Sequence, residues 1–216
     1  DLSSKGNQPF LNNGNELMCN GEIYNFEELK KVVNDIYEFH SNSDCEVLLP
    51  LYEKFGIEIM LKMLDAEFAL VMYDGQTEEV LAARDPIGIR PLFYGFEKET
   101  RKIAFSSEAK GLIDFCENVV PFPPGHYYKD GEFYCYNDIA DPKVIIDEEV
   151  EVITSKIREK LEKAVIKRLH SDAPLGFLLS GGLDSSLVCA IAQKHLKKPI
   201  KTFAIGMDTD PIDLRY

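Results

Sequence analysis

This chain of 216 residues has no tryptophan, only four histidines and only five cysteines. The cysteines are scattered, odd in number and without a C-x-x-C pair, which favours reduced thiols over a disulfide framework or a zinc site. No apolar run approaches the roughly 20 residues of a membrane-spanning helix, and the sequence does not begin like a signal peptide. Basic residues number 24 against 37 acidic ones, and the net charge of −13 disfavours nucleic acid and anionic membranes as partners. We therefore expect a globular, cytoplasmic protein.

The most informative segment present is FLLSGGLDSS at residues 177–186, which predicts a buried strand, a loop of small residues and the start of a helix. Gly181 and Gly182 let the main chain of such a loop approach an anion and present backbone N–H groups to it. Further hydroxyl donors come from Ser180, Ser185 and Ser186. Asp184 supplies one carboxylate, which suits a Mg²⁺ ion that travels with a phosphate.

A Gly-Gly pair between a strand and a helix is often only a tight turn, but the whole SGGLDSS string is much more specific. It is not a Walker A loop, a G-x-G-x-x-G fingerprint or a G-x-S-x-G elbow. It resembles the pyrophosphate-binding loop of ATP pyrophosphatases, enzymes that split ATP into AMP and pyrophosphate. We therefore interpret it as a nucleotide site.

The first two-thirds of the chain has the pattern of an α+β domain. We predict a strand at 16–19, followed by two helices that open with capping boxes, Asn25 with Glu28 and Ser43 with Glu46. Gly56 fits the end of the second helix. Two hairpins are predicted at the turns Asp74-Gly75 and Asp130-Gly131.

The composition turns acidic and loses its aromatics near 138–149, so we place one domain at 1–140 and a second at 141–216. An amphipathic helix should follow, with an apolar row made of Ile153, Ile157, Leu161, Val165 and Leu169. A strand at 175–179, a helix at 184–196 and a strand at 201–206 then predict a βαβ unit with parallel strands. Because ligands bind beyond the carboxyl ends of such strands, phosphates would lie on the loop at 180–182 and adenine against the main chain of Ile205.

A second candidate site lies in the string CNGEIYN at residues 19–25. The Asn20 amide and the Gly21 backbone N–H, aimed at one point, could stabilise an oxyanion during acyl transfer. Asp44 could hold the ammonium group of a substrate. Taken alone, however, Asn-Gly is usually a turn and an Asp in a first helical turn usually serves the helix dipole, so the residues by themselves favour these structural interpretations.

Four strings in the first domain change that weighting: NGEIYN, SDCEV at 43–47, ARDPIGIRPLFYG at 83–95 and SSEAKGL at 106–112. Together they resemble the glutaminase domain of glutamine-dependent asparagine synthetases, which belongs to the N-terminal-nucleophile amidotransferases. FLLSGGLDSS and TFAIGM then follow in the order in which that family opens its synthetase domain. The resemblance implies an incomplete α/β/β/α sandwich, followed by the start of an α/β parallel-sheet ATP-pyrophosphatase domain.

The resemblance also implies roles for individual residues. Asn20 and Gly21 match the residues that form the oxyanion hole and contact glutamine, while Glu22 and Asp44 match residues that bind the glutamine head group. The ATP contacts would come from Leu179, Ser180, Gly181, Gly182, Asp184, Ser185, Ser186 and Ile205. Asp184 is also the expected magnesium ligand and catalytic residue of the synthetase domain.

One departure from the family pattern concerns the nucleophile. The resemblance implies an N-terminal Cys whose α-amino group acts as base, and an upstream arginine that grips the glutamine carboxylate, whereas this chain begins with Asp1. Cys19 lies inside a predicted strand and is interpreted as a core residue. We expect the chain to be a fragment that hydrolyses no glutamine on its own.

For the parent protein, the resemblance implies ATP-dependent amidation of aspartate to asparagine, with glutamine as nitrogen donor and an aspartyl-adenylate as intermediate. The products would be AMP, pyrophosphate and glutamate; no prosthetic group is expected, and a homodimer is compatible with the family. Two alternatives stay open: an amidating or cyclising synthetase for another carboxylate, and a non-catalytic paralogue. An amidotransferase of the phosphoribosyl-pyrophosphate type would share the first domain, but SGGLDSS argues against it.

Overall fold

The computed structural model describes residues 1, 3–142 and 144–206. The chain divides into two units, Asp1–Val144 and Ile145–Tyr216. Within the described residues, no helix combines the length and the apolar character that a membrane crossing needs.

In the first unit two strands precede two α-helices, and a further run of strands follows. The bounds are β1 Phe10–Asn12, β2 Asn15–Ile23, α1 Phe26–Val33, α2 Leu48–Met63, β3 Ala66–Asp74, β4 Glu79–Arg84, β5 Phe93–Glu97, β6 Ile103–Ser106, β7 Cys116–Pro121, β8 His126–Lys129 and β9 Glu132–Cys135. One antiparallel sheet has the order β1-β2-β3-β4-β8-β9, and a second has the order β6-β5-β7. Besides the strand at 16–19 and the two hairpins, the sequence predicts strands at 91–94 and 103–105, which correspond to β5 and β6; β1 and β7 were not predicted.

The larger sheet of the first unit has an apolar core on each of its faces. On one face Leu17 and Leu70 pack in a cluster with Leu51 of α2. On the other face Ala82 packs in a second cluster that includes Tyr94 of β5, so the two sheets lie face to face. This helix–sheet–sheet layering agrees with the expected α+β sandwich.

Both predicted hairpins are confirmed. β3 and β4 pair antiparallel around Asp74-Gly75, where the Asp74 carboxylate accepts hydrogen bonds from the backbone N–H groups of Gln76 and Thr77. β8 and β9 pair around Asp130 and Gly131, whose φ angles of 53° and 82° are those of a tight hairpin turn.

The predicted capping box of α1 is wrong, because tertiary partners occupy the Asn25 side chain. Asn25 precedes α1 but makes no side-chain cap. Its amide donates to the Met63 carbonyl and accepts from the Asp65 backbone N–H, which joins the start of α1 to the end of α2.

The second predicted capping box is wrong for a similar reason. Glu46 is buried, and its carboxylate accepts hydrogen bonds from the backbone N–H groups of His40 and Ser41. Gly56, predicted as a helix end, has φ +76° and interrupts α2, which resumes and continues to Met63.

The second unit contains α3 Val150–Lys167, β10 Phe177–Leu178, α4 Leu183–His195 and β11 Thr202–Phe203. β10 and β11 are parallel, which confirms the predicted direction, but each is shorter than predicted. Of the predicted apolar row only Val165 is buried, Ile157 is exposed, and Leu169 lies beyond the end of α3. Val165, Cys189 and Ala192 are the buried residues of α3 and α4.

Candidate functional site

Asn20, Gly21 and Glu22 lie inside β2, not after its end as the Asn-Gly pattern predicted. Asn20 pairs with Ala69, Gly21 with Phe68 and Glu22 with Glu67 across the β2–β3 ladder. The strand continues because Ile23 is buried in the same core as Leu17.

Asn20 and Glu22 project from the same face of β2, since side chains alternate along a strand. Within the described part of the chain, no hydrogen bond is made by the Asn20 side chain, and its amide is exposed. A cavity of about 280 Å³ lies beside it, lined by Gln8, Met18, Cys19, Asn20, Ala69, Val71, Leu92, Phe105, Ser106 and Ser107. The Cys19 side chain is 7% exposed and belongs to the core, as predicted.

Gly21 is fixed by the close approach of β2 and β3. A Cβ added here would meet the Glu67 carbonyl oxygen, and would lie 2.7 Å from the Phe68 Cβ and 2.8 Å from the Phe68 Cα. Gly21 therefore has a packing function that is separate from any role of its N–H group.

Asp44 is brought next to Glu22 by a hydrogen bond to β2. It precedes a short 3-10 helix, Cys45–Val47, but does not cap it; instead its Oδ2 accepts from the Ile23 backbone N–H at 2.6 Å. Partial burial, and then the nearby Asp44 carboxylate, raise the pKa of Glu22 above its ordinary value, while Arg90 opposes the rise. The site is thus an acidic pair suited to a cationic group of a ligand.

Arg90 lies at this site, although it was not among the site residues predicted from the sequence. Its guanidinium forms an ion pair with Glu67, with 2.9 Å between Nη2 and Oε1, and the Tyr24 hydroxyl donates to the other Glu67 oxygen at 2.8 Å. The Arg90 Nε is buried and has no hydrogen-bond partner in the described structure. The motif ARDPIGIRP had marked this segment, but not which of its arginines reaches the site.

The loop that carries Arg90 is built around Arg84 and Asp85. The Arg84 guanidinium donates to the carbonyls of Gly88, Arg90 and Phe122, each at 2.8 Å. The Asp85 carboxylate, which is 1% exposed, accepts from the backbone N–H groups of residues 68, 87, 88, 89 and 90 at 2.7–3.3 Å. These contacts fix the loop backbone and so fix the origin of the Arg90 side chain.

Replacing Asp85 should therefore destabilise the first unit. We expect Asp85→Ala to lower the free energy of unfolding by about 3 kcal/mol, because it leaves several N–H groups unsatisfied. Urea unfolding followed by tyrosine fluorescence measures this, since every tyrosine except Tyr216 lies in residues 1–144. Asp114→Ala, at an exposed carboxylate, is the matched control; an equal loss in both variants would contradict the assignment.

The candidate nucleotide site is the loop between β10 and α4. Gly181 has φ +83°, a left-handed conformation that favours glycine, and Gly182 precedes the first residue of α4. Ser185 Oγ donates to the Gly182 carbonyl at 3.2 Å and lies 3.1 Å from Ser180 Oγ. The structure thus brings Ser180, Gly181, Gly182 and Ser185 together at the N-terminus of α4, where the helix dipole favours an anion.

Asp184 lies in the first turn of α4, and Ser186 follows two residues later. Within the described part of the chain the Asp184 carboxylate has no hydrogen bond or ion pair, so its oxygens are available to a ligand. No cluster of three or more metal-binding side chains occurs among the described residues. A single carboxylate with phosphate oxygens still suits Mg²⁺, which usually binds proteins in this way.

The two remaining predicted ATP contacts lie at the carboxyl ends of β10 and β11. The Leu179 N–H donates to the Phe203 carbonyl at 2.8 Å, so any contact from its main chain to a ligand would use its carbonyl. Ile205 follows β11 and is 89% exposed. Met207, the last residue of the TFAIGM string, lies outside the described residues.

Comparison with protein families gives a match in each of the two units. Residues 1–129 match the family described as the glutamine amidotransferase domain, and the chain belongs to that family. Residues 156–216 match the family described as asparagine synthase. Both matches bear out the resemblance inferred from the sequence.

Curated relatives align with most of this chain. A probable glutamine-hydrolysing asparagine synthetase of Dictyostelium discoideum is 44% identical over 91% of this chain and 37% of its own length. The glutamine-hydrolysing asparagine synthetase of Zea mays is 41% identical over 96% of this chain, again 37% of its own length. The chain thus spans little more than a third of these relatives.

Solved structures with a similar fold include an amidotransferase. The glutamine phosphoribosylpyrophosphate amidotransferase of B. subtilis, complexed with ADP and GMP, matches 91% of this chain and 48% of its own, with a TM-score of 0.51 and 20% identity. A second structure, an allosteric regulatory enzyme of purine biosynthesis, has a TM-score of 0.50 and 22% identity over 94% of this chain. At these identities the likeness concerns the fold alone, and it confirms the expected fold class.

Proposed function

We propose that the protein containing this chain makes asparagine from aspartate, ATP and glutamine. The observation that carries the proposal is the order of two sites in one chain: an acidic pair beside a free amide in an amidotransferase fold, then an SGGLDSS loop at a helix N-terminus. One site suits the release of ammonia from glutamine, and the other suits the activation of a carboxylate by ATP.

In the first unit, the described residues would bind and polarise glutamine. Glu22 and Asp44 would receive its ammonium group, since both are carboxylates at one end of β2. The exposed Asn20 amide and the Gly21 N–H would stabilise the oxyanion that forms when the side-chain amide is attacked.

In the second unit, the loop would hold the phosphates of ATP. Ser180, Ser185 and Ser186 offer hydroxyls, and the first N–H groups of α4 point toward the loop. The Asp184 carboxylate, which has no partner among the described residues, would hold Mg²⁺, which when bound would neutralise charge on the departing pyrophosphate. The carbonyl of Leu179 and the main chain of Ile205 would contact the nucleoside.

The proposal is tested by product analysis of the complete protein that contains this chain. Incubation with ATP, Mg²⁺, aspartate and glutamine labelled with ¹⁵N at its side-chain amide should give labelled asparagine, with AMP, pyrophosphate and glutamate in equal amounts. Formation of ADP, or transfer of nitrogen to another carboxylic acid and not to aspartate, would contradict it.

Asn20→Ala should reduce glutamine hydrolysis without destabilising the fold. Since the Asn20 amide is exposed, we expect the free energy of unfolding to change by less than about 0.5 kcal/mol. Glutamine hydrolysis should fall about 100-fold through loss of an oxyanion donor, while asparagine synthesis from added ammonia stays. An unchanged hydrolysis rate would remove Asn20 from the proposed mechanism.

A further inference from the structure

Two glutamates face each other across the β2–β3 ladder at the candidate glutamine site. Glu22 pairs with Glu67 in the antiparallel register, so the two side chains leave the same face of the sheet. Like charges directly opposite each other in a sheet repel. Asp44, held to the Ile23 N–H, adds a third carboxylate at this end of β2.

Of the two glutamates, Glu67 already has a partner on each of its carboxylate oxygens. Glu67 receives the Arg90 guanidinium on one oxygen and the Tyr24 hydroxyl on the other. Among the described residues, Glu22 has no hydrogen bond or ion pair of this kind, and it is exposed. The asymmetry leaves a single carboxylate of the opposed pair directed toward solvent.

Arg90, the cation that pairs with Glu67, lies on a loop whose backbone is fixed by hydrogen bonds. The side chains of Arg84 and Asp85 form hydrogen bonds with the backbone of residues 87–90. The Arg90 side chain is half-buried, and its buried Nε–H lies unpaired within the described structure.

We propose that Arg90 is a positioning residue for glutamine: by holding Glu67, it leaves Glu22 as the ionised carboxylate that receives the substrate ammonium. The proposal rests on the proposed glutaminase function. It differs from a purely structural role because it makes the charge state of Glu22, and so the pH dependence of glutamine use, depend on Arg90.

The direction of that dependence follows from the charges that face Glu22. They are the Asp44 and Glu67 carboxylates, the Arg90 guanidinium, the α-amino group of Asp1 and the neutral Cys45 thiol. Burial and Asp44 raise the pKa of Glu22, whereas Arg90 lowers it. Glutamine binding should weaken as the pH falls and Glu22 takes up a proton, and removal of Arg90 should move this loss to higher pH.

The first test needs no catalysis and uses the 216-residue chain. Titration of the Glu22 carboxyl by ¹³C NMR, assigned with a Glu22→Gln sample, should give a midpoint at higher pH in Arg90→Met and at lower pH in Glu67→Gln. Arg90→Lys should restore most of the wild-type midpoint. A Glu22 midpoint that ignores Arg90→Met in a folded sample would overturn the proposal.

The second test measures glutamine use in the complete protein. Arg90→Met should raise the KM for glutamine about tenfold and shift the acid limb of its kcat/KM profile to higher pH, with ammonia-driven synthesis unchanged. Arg101→Met, which removes an exposed arginine paired with Glu117, is the matched control and should leave both unchanged. Equal loss of ammonia-driven synthesis in Arg90→Met would show a structural role and overturn the proposal.

If the wild type hydrolysed no glutamine, the proposed function would fail, while the titration would still decide whether Arg90 controls the charge of Glu22.

Discussion

Asp184→Asn should reduce AMP and pyrophosphate formation by the complete protein at least about 1,000-fold, while glutamine hydrolysis stays within about twofold. The substitution keeps the size of the side chain but removes its charge. Because the Asp184 carboxylate has no partner among the described residues, the loss cannot be assigned to a broken contact within the fold. The expected effect is large, because the pyrophosphate gains negative charge as it leaves ATP and needs the metal that this carboxylate would hold.

The separation of the two activities is what makes the Asp184 experiment decisive. Glu159→Gln is the matched control, because Glu159 is an exposed carboxylate of the same unit that pairs with Lys163 on α3. AMP release should be measured with aspartate present, and glutamate release with glutamine alone. Wild-type AMP formation in Asp184→Asn, or equal loss of both activities, would contradict the proposed role.

Local patterns of the sequence were sufficient where the physical cause is itself local. The Asp130-Gly131 turn needs two residues with positive φ, and both have it. The β10–α4–β11 order required parallel strands, which the register of Phe177 with Thr202 confirms. Gly181 takes the left-handed conformation in the loop that the SGGLDSS string predicted.

Predictions were wrong where distant partners decide the outcome. Asn25 and Glu46 fit capping boxes, yet contacts with Met63 and with the turn before Ser43 use their side chains. Asn20 and Gly21 suggested a turn because the pattern does not show that β3 pairs with β2 through Ile23. Arg90 was missed for the same reason, since its meeting with Glu67 depends on a loop that Asp85 organises.

The other large effect is expected at Gly21. Gly21→Ala should lower the free energy of unfolding of the first unit by about 3 kcal/mol and abolish glutamine hydrolysis. The added methyl group would overlap the Glu67 carbonyl and lie 2.7–2.8 Å from Phe68 atoms, so β2 and β3 must separate at the point where Glu22 and Glu67 pair. Backbone atoms cannot make room as a flexible side chain can, which is why so small a change should be so costly.

Tyrosine fluorescence during urea unfolding of the 216-residue chain can measure this loss, because the chain has no tryptophan. Gly182→Ala is the control: its φ is −70° and the nearest atom to an added Cβ is Ser180 Oγ at 3.5 Å, so the unfolding midpoint should stay. A Gly21→Ala chain with wild-type stability that fails only in hydrolysis would contradict the packing argument. In that case Gly21 would serve only to stabilise the oxyanion. The expected difference in stability between Gly21→Ala and Asn20→Ala would then be absent.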